Sequence, residues 1–318
     1  HWFLPRLALH FALVAKGSGL RGTGNVKPTM VVQIVTVLIN AALTPILTAG
    51  WLTGRPLGVA GAGLSTTIAI LCGVLLLLVD FLRLEKYVGF DQELFRARRV
   101  IWARILRIGV PPGAEFAIMF ILMGVNYWII RDFGASAQAG YGVGSRVMQS
   151  IFLPAMAIAF AVAPLAGQNV GAGRSDRAWE AFRKAALLGS GVMLAVTLVC
   201  QWHPDWFIRQ FTREPEVVEV GALFLQLISL NFVASGLIFT ASGMFQALGN
   251  TVPSLVSGAS RLVTFVVPAI WISTWPDFTL RQVWIWSVIT VALQAVTSLW
   301  LLRREFRRKA AGAPAAVA

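Results

Sequence analysis

Long apolar stretches recur along the whole chain, and each is separated from the next by a short segment rich in charged residues, Gly, Pro or Asn. A helix needs about 20 apolar residues to cross the ~30 Å hydrocarbon core of a bilayer, and these stretches have that length. Segments of about ten residues with alternating polarity, which are typical of a membrane barrel, do not recur. The pattern therefore predicts nine membrane-spanning helices, at residues 3–19, 29–51, 58–82, 108–130, 147–169, 185–203, 220–247, 253–274 and 281–302.

The composition leads to the same fold class. Hydrophobic residues make up 57% of the 318 residues, charged residues only 13%, and the mean hydropathy is +0.72. A soluble domain carries about a quarter charged residues. Since so few charges cannot cover a soluble surface, we expect an all-α integral membrane protein.

The basic residues are distributed unevenly over the segments between the predicted helices. One alternating set of segments holds 19 Lys and Arg residues, and the other set holds six. Because cytoplasmic loops collect Lys and Arg, the first set, which includes the tail 303–318, is expected to face the cytoplasm. The prediction is a multi-pass protein of the plasma (inner) membrane with a cytoplasmic C terminus. Since the net charge of +13 resides in loops, it does not indicate a nucleic-acid partner.

A five-residue pattern occurs twice at long spacing. Residues 24–28 read Gly-Asn-Val-Lys-Pro, and residues 249–253, which follow 225 positions later, read Gly-Asn-Thr-Val-Pro. Each copy lies between two predicted spans, and the outgoing span of each contains a second proline, Pro45 or Pro268. Repetition of this kind in a membrane chain is typical of a transporter built from two related halves.

The repeat also predicts how the chain is divided. Four spans precede the second copy within its half, whereas one span precedes the first copy, so we expect the first half to lack three spans. The complete protein would have twelve spans, six per half, with the halves related by a pseudo-twofold axis along the membrane normal. The expected divisions are a partial first half at 1–82, a cytoplasmic amphipathic linker at 83–107 lying on the lipid surface, a complete second half at 108–302, and the tail 303–318.

Glu115 is the acidic residue that lies well inside a predicted span. A carboxyl group at membrane depth is costly and normally faces the protein interior or water, where it can bind and release a proton or a small cation. Met119, Leu122 and Asn126 follow it at helical spacing on one face, which would suit the wall of a cavity for amphipathic cations. The alternative is a structural role near the headgroups, with Glu115 bound to an arginine of the linker.

Other residues inside the spans are candidates for the cavity wall or for a hinge. Pro154 and Pro164 lie in span 147–169, where each removes a backbone hydrogen bond, so a hinge or kink is expected. Isolated polar residues either line a cavity or bind one helix to another. The candidates for the cavity wall are Asn126, Tyr127, Gln149, Asn231, Gln246 and Arg261.

Enzymatic chemistry receives no support from the motifs. Gly140, Gly142 and Gly144 resemble part of a nucleotide-binding loop, but no strand precedes them and no Gly-Lys-Ser/Thr sequence occurs. Neither a Ser/His/Asp cluster nor a His/Cys spacing typical of a metal site is present in the sequence. We therefore expect neither a catalytic residue, nor a metal site, nor a cofactor.

Several motifs, taken in order, resemble the MATE (multidrug and toxic compound extrusion) family over essentially the whole chain. They begin with the region of the fourth to sixth helices, at 19–28 and 58–63, and continue through the sequence Gly-Val-Pro-Pro-Gly-Ala-Glu at 109–115. The remaining motifs lie at 167–174, 211–217 and 246–253.

This resemblance implies a two-lobe bundle of six plus six helices, of which about nine, helices four to twelve, are present. It also implies export of organic cations or drugs by a monomer, in exchange for Na⁺ or H⁺, through a cavity alternately open to each side of the bilayer. Glu115 resembles an acidic position of the seventh helix in this family. The chain departs from NorM-like members in span 220–247, which has no acid and where Asn231 is the most polar central residue, and the first helix that carries a key Asp in DinF-like members is not in this sequence.

Two alternatives to drug export remain. A lipid-linked oligosaccharide flippase of the same superfamily would need clustered basic residues for pyrophosphate, for which Arg261 and Arg146 are the candidates. A transport-inactive or truncated membrane protein would need no cavity chemistry at all.

Overall fold

A computed structural model describes residues 3–51, 54, 56–83 and 98–312, which are almost entirely α-helical. The chain splits into two compact units, His1–Arg98 and Arg99–Ala318. The boundary lies within the segment predicted as the linker, and residues 84–97 of that segment are outside the described residues. The assignment of the units to two homologous lobes stays a prediction.

The first unit contains three helices: α1 (Phe3–Gly22), α2 (Lys27–Ala49) and α3 (Gly58–Arg83). Between α2 and α3, Asn40 Nδ2 donates to Thr66 Oγ1 at 3.1 Å, and the hydroxyl groups of Thr44 and Ser65 lie 3.0 Å apart. Small polar groups of this kind bind helices together inside a membrane. The apolar core of the unit consists of Leu13, Leu20, Val32, Ile70 and Leu77.

The second unit contains the remaining helices. They are α4 (Arg99–Ile130), a 3₁₀ turn (Arg131–Phe133), α5 (Ala135–Gly171), α6 (Ser175–Trp202), α7 (Pro204–Arg209), α8 (Pro215–Ser229), α9 (Phe232–Leu248), α10 (Val252–Ile272) and α11 (Leu280–Gly312). Proline lies in the first turn of α7, α8 and α10, where the missing N–H costs no helical hydrogen bond. The largest fully buried side chains of the second unit are Trp284, Phe232, Phe245 and Phe265.

The predicted spans largely agree with these helices. Within the described residues, seven helices are long and apolar enough to cross a membrane, namely α2–α6, α10 and α11, and α8 with α9 forms an eighth, bent pair. The remaining predicted span, 3–19, forms α1 but does not meet the same criterion, since Arg6, His10 and Lys16 lower its hydropathy. Residues 99–107 of the predicted linker are not a separate surface helix, because α4 runs from Arg99 to Ile130 without a break.

The prediction was wrong about the start of α5, which begins at Ala135, twelve residues before the predicted span. The glycines at 140 and 144 are the reason that this stretch reads as a loop, but in the structure they let α5 pack closely on α8. A methyl group at Gly140 would lie 2.9 Å from Val220 Cβ, and one at Gly144 would lie 2.5 Å from Phe224 Cδ1. Small residues spaced four apart on one helix face allow this approach.

The prediction of one continuous helix at 220–247 was also wrong. The segment is two helices, α8 and α9, which are bent by 56° at a break between Ser229 and Phe232. Asn231, predicted to line a cavity, lies at this break as the residue preceding α9, and only 4% of it is exposed.

Side chains of α6 satisfy the backbone at the break. Leu230 N donates to the carbonyl three residues before it, so Gln226 O loses its usual helical donor. Gln226 O instead accepts hydrogen bonds from Gln201 Nε2 at 2.6 Å and from Ser229 Oγ at 2.8 Å. Thr197 Oγ1 donates to Ser229 O at 2.9 Å. Polar backbone groups inside a bilayer need such internal partners.

The two Gly-Asn-x-x-Pro segments form turns with the same backbone. Gly24 and Gly249 have φ values of +89° and +68°, in the left-handed region that favours glycine. In each turn the glycine N–H donates to the carbonyl three residues back, and the asparagine N–H donates to the carbonyl five residues back. Pro28 and Pro253 then lie in the first turns of α2 and α10.

Candidate functional site

A cavity of about 150 Å³ opens among five helices of the second unit, α4, α5, α9, α10 and α11. Most of its wall is apolar, and it includes three phenylalanines and two methionines, Phe116, Phe160, Phe239, Met119 and Met156. The polar residues of the wall are Glu115, Ser235, Ser242, Gln246, Arg261 and Gln294. An apolar cavity with a few convergent polar groups is the usual form of a binding site for a small organic molecule.

Glu115 projects from α4 toward α9 and α10. Its Oε2 atom lies 3.5 Å from Ser242 Oγ, which in turn accepts a hydrogen bond of 3.1 Å from Ser254 Oγ. A methyl group at Gly258 would lie 3.6 Å from Glu115 Cγ, so the carboxylate stem rests against α10. Glu115 Oε1 is buried and makes no hydrogen bond. The surrounding side chains therefore satisfy only one of the two carboxyl oxygens.

A side chain of the second Gly-Asn-x-x-Pro turn connects the start of α10 to α4 just before Glu115. Pro112 has no N–H, so Ile108 O, four residues before it, has no helical donor. Thr251 Oγ1 donates to that carbonyl at 2.9 Å, and Thr251 is only 1% exposed. This bond fixes the relative position of α4 and α10, the helices that carry Glu115 and Arg261.

Helix α5 forms another wall of the cavity through Met156, Ala159 and Phe160. α5 is continuous through Pro154 and Pro164, so neither proline breaks it. Pro164 nevertheless lacks the N–H that would bond the carbonyl of Phe160. At the same level α9 lies close to α5, so that a methyl group at Gly243 would be 2.5 Å from Ala159 O. The hinge role of the two prolines stays a prediction.

Arg261 lies on α10, one helical turn beyond Gly258. Its Nη2 atom is 3.5 Å from Ser287 Oγ, and its buried Nε atom makes no hydrogen bond. No nitrogen of Arg261 lies within 4.0 Å of a carboxylate oxygen in the part of the chain that the structure describes, Glu115 included. The cavity thus holds an acidic and a basic side chain that do not form an ion pair.

Three predicted residues, Glu115, Gln246 and Arg261, meet at this cavity, and the other four are not on its wall. Asn126 lies eleven residues beyond Glu115, about 16 Å along the helix, and donates to Leu122 O. Tyr127 packs edge-on against Tyr141, with ring centroids 4.8 Å apart. The remaining two are Gln149, which is exposed on α5, and Asn231, which lies at the break between α8 and α9.

The sequence interpretation missed Ser242 and Ser254. Ser242 and Gln246 are four residues apart on α9, which places them on one face, and this spacing is a signal in the sequence. Ser254 has no comparable signal, because its contact with Ser242 depends on how α9 and α10 pack. Groups of three or more His, Cys, Asp or Glu side chains able to hold a metal ion do not occur among the described residues.

Comparison with known proteins agrees with this architecture. The family model MatE matches residues 111–272. The probable multidrug resistance protein NorM of Thermotoga maritima is 28% identical over 279 residues, which cover 85% of this chain and 56% of that protein. The multidrug export protein MepA of Staphylococcus aureus is 27% identical over 297 residues, which cover 89% of this chain and 62% of that protein. The chain thus spans somewhat more than half the length of these curated relatives.

The fold has a counterpart among solved structures. A multidrug resistance MATE family transporter of the MOP superfamily, solved in an outward-facing conformation, superposes with a TM-score of 0.87 at 23% identity. The superposition covers 97% of this chain and 69% of that one. Since the family model matches half of this chain and the helices have the same arrangement, the chain is a multi-pass membrane protein that belongs to the MatE family of transporters.

Proposed function

We propose that this protein exports amphipathic organic compounds, in particular cations, by secondary active transport. The observation that carries the proposal is the carboxylic acid side chain of Glu115, which lies on the wall of a largely apolar cavity. An organic cation placed there buries its apolar surface against Phe and Met side chains and its charge against the carboxylate.

The same carboxyl group accounts for coupling. A proton or Na⁺ and an organic cation compete for Glu115, so occupation by one disfavours the other. The protein would change conformation when Glu115 binds either the coupling ion or the organic cation, but not when Glu115 binds neither. Transport then becomes an exchange of one cation for the other. The protein would act as a monomer, by alternating access, with Na⁺ or H⁺ as the coupling ion and no cofactor.

The expected orientation places the C terminus in the cytoplasm, since basic residues cluster in the last turns of α11, at Arg303, Arg304, Arg307, Arg308 and Lys309. A lipid-linked oligosaccharide flippase is the less supported alternative. Its pyrophosphate would need several basic groups, whereas Arg261 is the basic residue on this wall and Arg146 is exposed on α5.

Efflux of ethidium from cells that express the protein tests the role of Glu115. We expect Glu115→Gln to lower the efflux rate about ten-fold or more, because the variant loses a charge-assisted contact of about 1.5–3 kcal/mol. Glu180→Gln is the matched control, since Glu180 forms an exposed ion pair with Lys184 on α6. Equal amounts of each variant in the membrane must be verified. Wild-type efflux by Glu115→Gln would remove Glu115 from the mechanism.

A further inference from the structure

Basic side chains are concentrated at the end of the second unit where α6 begins and α11 ends. They are Arg174, Arg177, Arg183 and Lys184 around the start of α6, and Arg303, Arg304, Arg307, Arg308 and Lys309 on α11. Two of them form ion pairs, Lys184 with Glu180 and Arg308 with Glu305. The others have no carboxylate oxygen within 4.0 Å in the part of the chain that the structure describes. Most of this positive charge is therefore left without a counter-charge.

An aromatic contact brings the two helix ends together. Trp179 of α6 packs against Phe306 of α11, with ring centroids 4.9 Å apart. On the inner side of this contact, Phe182 of α6 and Leu302 of α11 belong to one buried apolar cluster with Phe245 of α9. We call the surface between α6 and α11 at the Trp179–Phe306 contact the seam. α6 leads from the seam toward the middle of the membrane, and α11 reaches the seam from that direction.

Arg183 and Arg303 lie on the two sides of the seam, next to the aromatic contact. Arg183 follows Trp179 by four residues, so it lies on the same face of α6 about 6 Å further along the helix. Arg303 precedes Phe306 by three residues, so it lies on the same face of α11 about 4.5 Å before it. Both arginines are exposed. Since two positive charges at similar depth repel each other, an anion between them would be stabilised by both.

Exposed apolar side chains continue from each arginine toward the middle of the bilayer. Leu187 lies one turn beyond Arg183 on α6, and Val296 lies two turns before Arg303 on α11. A free phosphate ion would contact only the arginines. A ligand with an anionic head and an apolar tail would contact the arginines and the apolar side chains together.

We propose that the seam binds one anionic phospholipid, with its phosphate between Arg183 and Arg303 and its acyl chains against Leu187 and Val296. A guanidinium group presents paired N–H donors that match the oxygens of a phosphate. Phosphatidylcholine fits less well, because its choline group carries a positive charge that the neighbouring arginines repel. In the expected orientation the seam faces the cytoplasmic leaflet, where anionic lipids attract basic side chains. This inference concerns the lipid-facing surface and does not depend on the proposed export function.

Native mass spectrometry of the purified chain, titrated in detergent with single lipids, measures this binding. We expect dioctanoylphosphatidylglycerol to bind at least about ten-fold more tightly than dioctanoylphosphatidylcholine, since the arginines attract the first and repel part of the second. Arg183→Gln and Arg303→Gln should each lower the affinity for the phosphatidylglycerol about ten-fold, because each removes a charge-assisted contact with the phosphate. Arg183→Lys should retain part of the affinity, since it keeps the charge but not the paired donors.

Arg177→Gln is the matched control. Arg177 is also an exposed arginine near the start of α6, but it precedes Arg183 by six residues and therefore points about 120° away from it around the helix. Because the control removes the same charge from the same helix end, it separates a contact at the seam from a general attraction between charges. Arg177→Gln should change the affinity for the phosphatidylglycerol less than about two-fold. Unchanged affinity for the phosphatidylcholine would show that the variants are folded.

Wild-type affinity for the phosphatidylglycerol in both Arg183→Gln and Arg303→Gln would overturn the inference. An equal loss of affinity in Arg177→Gln would overturn it as well, since general attraction would then account for the binding. Glycerol phosphate, which has the phosphate but no acyl chains, distinguishes a lipid site from a phosphate site. We expect it not to displace the bound lipid at millimolar concentration, and displacement would contradict the assignment of the seam to a lipid.

Discussion

The two Gly-Asn-x-x-Pro turns have the same backbone but different surroundings. In the turn between α1 and α2, Asn25 and Val26 are exposed, and Val26 is 49% accessible. In the turn between α9 and α10, the residue that corresponds to Val26 is Thr251, which is buried and bonded to Ile108 O. Asn250 Nδ2 donates to Glu305 Oε1 at 3.0 Å, and Lys309 Nζ donates to Leu248 O.

In the second turn, side-chain contacts with neighbouring helices are added to the shared backbone. The shared part, a left-handed glycine followed by a proline, reverses the chain between two helices and depends only on nearby residues. In the second copy, Thr251 joins the turn to α4 and Asn250 joins it to α11, two of the helices that form the cavity. Changes to the shared part should therefore affect both turns alike, whereas changes to Thr251 and Asn250 test the contacts with α4 and α11.

The largest expected effect is that of Thr251→Val. The variant leaves Ile108 O buried without a donor, because Pro112 cannot supply one, and this should cost about 1–3 kcal/mol of stability. Thermal unfolding in detergent would measure the loss. Thr251→Ser should retain most of the stability, and Val26→Thr in the first turn is the matched control with no expected change. A Thr251→Val variant as stable as wild type would mean that the hydroxyl contact does not hold α4 to α10.

Replacement of the turn glycines by alanine should have the next largest effect. Alanine in the left-handed region costs about 1–2 kcal/mol, and this holds for both Gly24→Ala and Gly249→Ala. A side chain at Gly249 would meet no atom within 4 Å, so the cost there is conformational rather than steric. The two losses in unfolding free energy should agree to within a few tenths of a kcal/mol. A large difference between them would contradict the view that the backbone of the two turns is equivalent.

The smallest expected effect concerns the asparagine side chains. A double-mutant cycle with Asn250→Ala and Glu305→Ala should give a coupling of about 0.5–1.5 kcal/mol, since Asn250 donates a hydrogen bond to the buried carboxylate of Glu305. The sequence Asp80-Phe81-Leu82-Arg83 lies 225 positions before Glu305-Phe306-Arg307-Arg308, at the same offset as the turns. We therefore expect a cycle with Asn25→Ala and Asp80→Ala to show coupling of the same sign. If Asn25 and Asp80 showed no coupling, the two turns would share their backbone conformation but not their side-chain contacts.

Much of this fold could be predicted from the sequence, because a membrane imposes long apolar helices and concentrates charge in the loops. Glu115 and Arg261 were also predictable, since any charge inside a span is conspicuous there. The break between α8 and α9 was not predictable, because neither Pro nor Gly marks it and its stability depends on donors from α6. The early start of α5 was not predictable either, because its glycines are typical of a loop. In the structure these glycines allow α5 to pack closely against α8.

Contacts between helices also could not be predicted at the candidate site. Gln246 and Arg261 could be proposed because each is a polar side chain in an apolar span, but whether two such residues face one cavity depends on helix rotation. Asn126 shares a helix face with Glu115 in a simple projection, yet it lies too far along α4 to share the cavity. The hydrogen bond between Ser242 and Ser254 depends on how α9 packs against α10. Neither serine marked the site in the sequence, since serine is common at helix–helix contacts in membranes.

The hydrogen bonds from α6 at the break between α8 and α9 affect how the second unit can change conformation. A discontinuity in a membrane helix is often where motion is localised, but here Thr197 and Gln201 of α6 donate hydrogen bonds to Gln226 and Ser229 at the end of α8. Flexing at that point would expose several carbonyl groups to hydrocarbon at once. Helices α6 and α8 should consequently move as one rigid body, so a change of angle at the break would be a movement of α9 relative to both.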